Sequence, residues 1–230
     1  WRHCRASFIN AESARTCFKA FNSSSHAFFV MSLASFIEYS LFLFVASLFL
    51  SEVDVGLFKA AERIALIISF LLYVVNSVFP PRFAVLFKSG DMLELSLLAR
   101  KACVFSSFLA LPFFLICLVK PTFMLSICGD GFDSAAPMLQ IIACGQMVNV
   151  ATGSVGFLLN MTGHEKLMRN ISLISNLLGV CLLVVLAKHF DGLGAAIALC
   201  VMLIVKNTLA CYYVLQKLRI STIPFGWRSL

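Results

Sequence analysis

The sequence predicts an all-α, polytopic membrane protein with six transmembrane helices and both termini on the cytoplasmic side. Three observations carry that prediction. The chain is 60% hydrophobic and only 13% charged, with 23 Phe and a mean hydropathy of +0.95. A soluble domain carries about 25% charged residues. The apolar residues fall into runs of membrane-spanning length, separated by short polar loops. The basic residues collect in every second loop.

Crossing a hydrocarbon core of about 30 Å takes roughly 20 apolar residues in a helix. Six stretches qualify: 26–50, 56–79, 101–119, 135–159, 167–187 and 193–215. Pro80-Pro81 closes the second and Lys120-Pro121 the third. Asp133 or Ser134 is the expected N-cap of the fourth, with Pro137 in its first turn. Residues 80–101 are too mixed to span. They predict a helix extension or an interfacial amphipathic helix, broken at Gly90-Asp91. Residues 1–25 form a cytoplasmic segment ahead of the bundle, 26–218 the bundle itself and 219–230 a cytoplasmic tail. The chain begins at Trp1 with no apolar signal region, and is expected to belong to a longer protein.

Loop charge sets the orientation. Arg2, Arg5, Arg15, Lys19, Arg82, Lys88, Arg100, Lys101, Lys166, Arg169, Lys217, Arg219 and Arg228 fall on one side. Only Lys120 and Lys188 fall on the other, among Glu52, Asp54, Asp130, Asp133 and Asp191. The positive-inside rule makes the first side cytoplasmic. A net charge of +7 therefore points to a membrane surface and not to nucleic acid, because the basic residues sit between apolar runs. The polar knot "NMTGHEKLMRN" (160–170) becomes the short cytoplasmic turn between the fourth and fifth spans, with Gly163 permitting the reversal. Sequons at Asn22, Asn160 and Asn170 lie on the same side and are discounted.

No catalytic constellation is present, so the chain is not expected to be an enzyme. Nine Cys show neither CxxC nor Cys/His ligand spacing and predict no metal, cofactor or disulfide. Asp130 and Asp133 form the acidic pair of an aqueous loop and are better explained by helix capping. The residues that stand out are charges inside spans, which cost a few kcal/mol or more and usually face a cavity or a partner. Glu38 lies twelve residues into the first span, ~18 Å deep, and Lys206 lies eleven residues before Lys217, ~16 Å deep. Lys59, Glu62 and Arg63 share one face of the second span at i, i+3 and i+4. Either these groups pair internally, or they line a polar cleft. Glu38 and Glu62 are then the candidate ion-pair or coupling residues, with Lys59, Arg63 and Lys206 the candidate anion-binding ones.

Two stretches carry a resemblance. "VGLFKAAERIALIISFLLYVVNSVFPPRFAVLFKSGD" (55–91) resembles the signature region of polysaccharide-export flippases, with an Asn near the helix end and a Pro-basic exit to a Gly-Asp. "CGDGFDSAAPMLQIIACGQMVNVATGSVGFLLNMTGHEKLMRNI" (128–171) resembles their next diagnostic block, including the "MTGHE" turn. The family is the O-antigen and exopolysaccharide flippases of the multidrug/oligosaccharidyl-lipid/polysaccharide flippase superfamily, and the likeness covers roughly residues 26–218 of the C-terminal lobe. It implies a two-lobe transporter of the bacterial inner membrane that alternates access around a central cleft. The implied substrate is an undecaprenyl-pyrophosphate-linked oligosaccharide, and the implied partner is an N-terminal six-helix lobe that this chain lacks. Competing readings are a cation-coupled multidrug exporter of the same superfamily, and a truncated lobe without transport activity.

Overall fold

The computed structural model describes residues 40–220, and every regular element among them is helical. The chain divides into two compact units, Trp1–Leu43 and Phe44–Leu230. Glu38, and the part of the first predicted span before residue 40, lie outside the described residues. The helices are α1 (Ser40–Phe49), α2 (Glu52–Val78), α3 (Pro80–Ser89), α4 (Met92–Val119), α5 (Pro121–Leu125), α6 (Ala136–Thr152), α7 (Val155–Met161) and α8 (Glu165–Leu218).

Local chemistry sets the boundaries. Ser51 caps α2 through its side chain, which accepts from the Asp54 N–H, and Glu52 and Asp54 complement the helix dipole in the first turn. Pro80-Pro81 do not end the helical path at a loop. They start α3 directly, since a proline in the first turn forfeits only an N–H that has no helical partner. Gly90, at φ 77°, then terminates α3, and Asp91 caps α4 by accepting from the Glu94 N–H. The mixed stretch 80–101 holds a separate helix up to Ser89, then an extension that lengthens α4 to 28 residues.

The expected cap at Asp133 or Ser134 does not form. A 3-10 turn over Asp133–Ala135 intervenes, and α6 begins behind Ala135 with Pro137 in its first turn and no side-chain cap bond. The proline removes one of the donors that a cap would satisfy. Nor is the fourth stretch one straight rod. Gly153, at φ 73°, breaks it into α6 and α7, bent by 43°.

The fifth and sixth stretches join as one 54-residue helix with a break at Asp191 (φ 47°, ψ −132°). Two close approaches show that this break is a reversal. A methyl group added at Gly194 would strike the backbone of Leu186, eight residues back. One added at Gly179 would lie 2.8–3.0 Å from the Met202 side chain, 23 residues away. In a straight helix those pairs are ~12 and ~34 Å apart. Both pairs are centred near residue 190, so α8 is an antiparallel hairpin of two arms of about 26 residues, each ~39 Å long.

Among the described residues two helices, α4 and α8, are long and apolar enough to cross a membrane, or three if the bent α6–α7 pair counts as one span. Only 28% of the apolar window in α4, and 28% of that in α8, is buried against protein. Their large side chains point outward: Phe105, Phe108, Leu173, Ile174 and Leu177 are all more than half exposed. The interior is instead rich in Ala: Ala61, Ala65, Ala110, Ala143, Ala195, Ala196 and Ala198 have no exposure at all. Small residues inside and large apolar ones outside is the arrangement expected in lipid, where helices associate by close backbone approach.

The helix ends gather at two levels. Gly192 lies against Met138 and Asp54, and Gln140 Nε2 donates to the Leu118 carbonyl at 2.9 Å. That end therefore holds the start of α2, the end of α4, the start of α6 and the hairpin tip. At the opposite end Phe83, Leu95, Val155, Leu158, Ile171, Val214 and Leu218 form one cluster. The loop charges divide accordingly. Glu52, Asp54 and Asp191 mark the first end, while Arg82, Lys88, Arg100, Lys101, Lys166, Arg169, Lys217 and Arg219 surround the second.

Candidate functional site

Lys59 and Glu62 meet. The Lys59 ammonium lies 2.9 Å from the Glu62 carboxylate, whose side chain is 4% exposed against 28% for the lysine. A carboxylate that dry needs a cation beside it. Arg63 does not join them. It follows Glu62 by one residue, a turn of ~100° around the helix, and is exposed while Glu62 is buried. The three residues keep the shared stretch of helix surface that their spacing gives, but burial grades across it, from the dry Glu62 through the half-buried Lys59 to the exposed Arg63.

Lys206 stands apart from that pair. Counted from the hairpin end, Glu62 is eight residues from Asp54, ~12 Å deep, and Lys206 is fourteen residues from Gly192, ~21 Å deep. Lys206 is half-buried on the second arm of α8. One turn beyond the Gly179–Met202 approach, the hairpin register puts Ser175 and Asn176 at the level of Lys206. Ser175 is fully buried, and neither its Oγ nor the Asn176 Nδ2 finds a hydrogen-bond partner among the described residues. Beside Lys206, Asn207 spends its Nδ2 on the Leu203 carbonyl at 2.9 Å. On α6, Gln146 is buried and accepts from Asn149 Nδ2 at 3.4 Å. Gly145, just before it, packs directly on Cys200 and Leu203 of the second arm.

The result is a polar level inside an otherwise apolar bundle, built from Lys206 and Asn207 on one arm, Ser175 and Asn176 on the other, and Gln146 and Asn149 on α6. The level offers both donors and acceptors: the Lys206 ammonium and Asn176 Nδ2 donate, the Ser175 hydroxyl can do either, and the amide carbonyls accept. Such a mixture, with one cation, suits an anionic or hydroxyl-rich group. Among the described residues no group of three or more His, Cys, Asp or Glu gathers as a metal site. Reading the sequence for charge found Lys206 but missed Ser175, Asn176, Gln146 and Asn149. Neutral polar residues are common in membrane helices, and only the hairpin brings these to one level.

The polar turn at 162–164 is held by its own backbone. Gly163 sits at φ 80°, the Thr162 hydroxyl donates to the Leu158 carbonyl at 2.7 Å, and the His164 N–H donates to the Leu159 carbonyl at 2.9 Å. His164 Nδ1 lies 3.3 Å from Thr162 Oγ1, and its carbonyl accepts from the first N–H groups of α8. These contacts give the histidine a place in the reversal. Compared with protein families, curated proteins and solved structures, the chain matches none.

Proposed function

We propose that this chain is one six-helix half of a bacterial inner-membrane transporter that flips a polyprenyl-pyrophosphate-linked oligosaccharide by alternating access. In this reading the spans are α1 with the residues before it, α2, α4, the α6–α7 pair and the two arms of α8. The basic end faces the cytoplasm. A second six-helix lobe completes the cleft, and O-antigen or exopolysaccharide synthesis supplies the substrate. The observation that carries the proposal is the polar level around Lys206 within a largely apolar bundle, because intramembrane polar groups are costly and mark substrate pathways. Lys206 and the outward-facing Arg63 offset pyrophosphate charge, and Lys59 is held by Glu62 near the other mouth.

The test is complementation of a flippase-null strain by the two-lobe protein carrying Lys206→Ala or Arg63→Ala, with membrane abundance measured in parallel. Normal abundance with lost polymer export is expected. Normal export in both variants overturns the reading. The buried Glu62 favours a second reading, a cation-coupled exporter of small molecules. That reading requires Glu62→Gln to abolish drug efflux at normal abundance, whereas the flippase reading requires no efflux from the parent protein.

A further inference from the structure

Away from the polar level, one outer face of α4 carries a groove of about 520 Å³ lined by Leu97, Arg100, Lys101, Val104, Phe105 and Phe108. The spacing is i, i+3, i+4, i+7, i+8 and i+11, a single face of the helix. All six side chains are exposed. Two features of the groove matter together. Its floor is apolar, along Val104, Phe105 and Phe108, and leads toward the uninterrupted apolar stretch 109–119 of α4. Its upper rim carries two adjacent cations, Arg100 and Lys101, at the basic end of the bundle.

The positive-inside rule accounts for cations at this end of a lipid-facing helix, and their place on the same face as Val104, Phe105 and Phe108 is the further feature. An aqueous anion site would not need the phenylalanines, and an acyl-chain contact would not need the cations. We infer that this groove is a binding site for one anionic phospholipid, its phosphate held by Arg100 and Lys101 and an acyl chain laid along Val104, Phe105 and Phe108. The seven steps from Lys101 to Phe108 cover ~11 Å of helix, enough to seat the upper part of a chain below its headgroup. The inference rests on the membrane reading of α4 but not on transport, since a lipid held here would serve a channel or an inactive lobe equally.

The full chain in detergent micelles, titrated with phosphatidylglycerol, phosphatidylcholine or inorganic phosphate, provides the test, with retained ligand read by native mass spectrometry. Each basic residue near an anionic headgroup favours it roughly fivefold, so a preference for phosphatidylglycerol of about 25-fold is expected. Arg100→Gln with Lys101→Gln should reduce the preference to about twofold or less. Leu97→Trp fills the groove without altering charge and should lower retention of both lipids, which keeps the test decisive if the double variant does not fold. Equal retention of the two lipids, or an unchanged preference in the folded double variant, overturns the inference. So does displacement of phosphatidylglycerol by equimolar phosphate, which would make the rim a bare anion site. A benzophenone side chain placed at Phe105 should crosslink to lipid, and crosslinking to residues 1–43 or to a second copy would give the groove another occupant and refute the proposal. Carbonate extraction of the chain from cell membranes would instead refute the membrane reading itself.

Discussion

Replacing Gly194 by Ala tests the hairpin on which the candidate site depends. An added methyl there meets the carbonyl of Leu186 and lies 2.8 Å from the Ala187 nitrogen. Both obstacles are backbone, so no rotamer change relieves them, and the two arms of α8 must separate. Overpacking typically costs ~1–3 kcal/mol and sometimes more. A backbone obstacle belongs at the top of that range, about 3 kcal/mol. Against it stands the gain from replacing a helical glycine, ~1 kcal/mol. The net expected loss is about 2 kcal/mol, or roughly 30-fold in the folding equilibrium. Gly179→Ala is the matched control. Its methyl meets Met202, whose Sδ and Cγ at 2.8 and 2.9 Å can swing aside, so a cost of ~1 kcal/mol is nearly cancelled by the same helix gain. The assay is unfolding of the purified protein in mixed micelles by increasing denaturing detergent. Equal midpoints for the two variants would mean that residues 186 and 194 are not in contact, and the hairpin register linking Ser175 to Lys206 would fall with it.

Two further outcomes follow from the charges and thiols. Lys59→Met leaves the dry Glu62 carboxylate without its cation and should destabilise by about 3–5 kcal/mol, while adding Glu62→Gln should restore most of that loss; a single variant as stable as the parent would show the pair to be solvated. Cys128 is exposed in the loop after α5, at the end opposite the basic loops, whereas Cys103 and Cys117 are buried within α4. A membrane-impermeant maleimide added to intact cells should therefore label Cys128 and spare those two, and protection of Cys128 until the cells are opened would reverse the assigned orientation.

Composition and loop charge by themselves determined the helical class of this protein and which loops gather at which end, and they point to lipid as its solvent. These are one-dimensional properties, because a span is a count of apolar residues and orientation is a count of Lys and Arg. Proline and glycine positions also set local boundaries, as at Gly90-Asp91 and Gly163, where backbone conformation depends on neighbours in sequence. Tertiary structure alone decided which polar groups meet. Lys59, Glu62 and Arg63 lie within five positions of one another, yet packing buries the glutamate beside a half-buried lysine and leaves the arginine exposed. Ser175 and Lys206 are 31 residues apart and become neighbours in depth only because the chain reverses at Asp191. The sequence around that reversal, "FDGLG", signals a turn but not its sharpness. The sharpness comes from Gly194, which lets the two arms close to backbone contact where any larger residue would hold them apart, while Gly192 lets the hairpin tip lie against Met138 and Asp54.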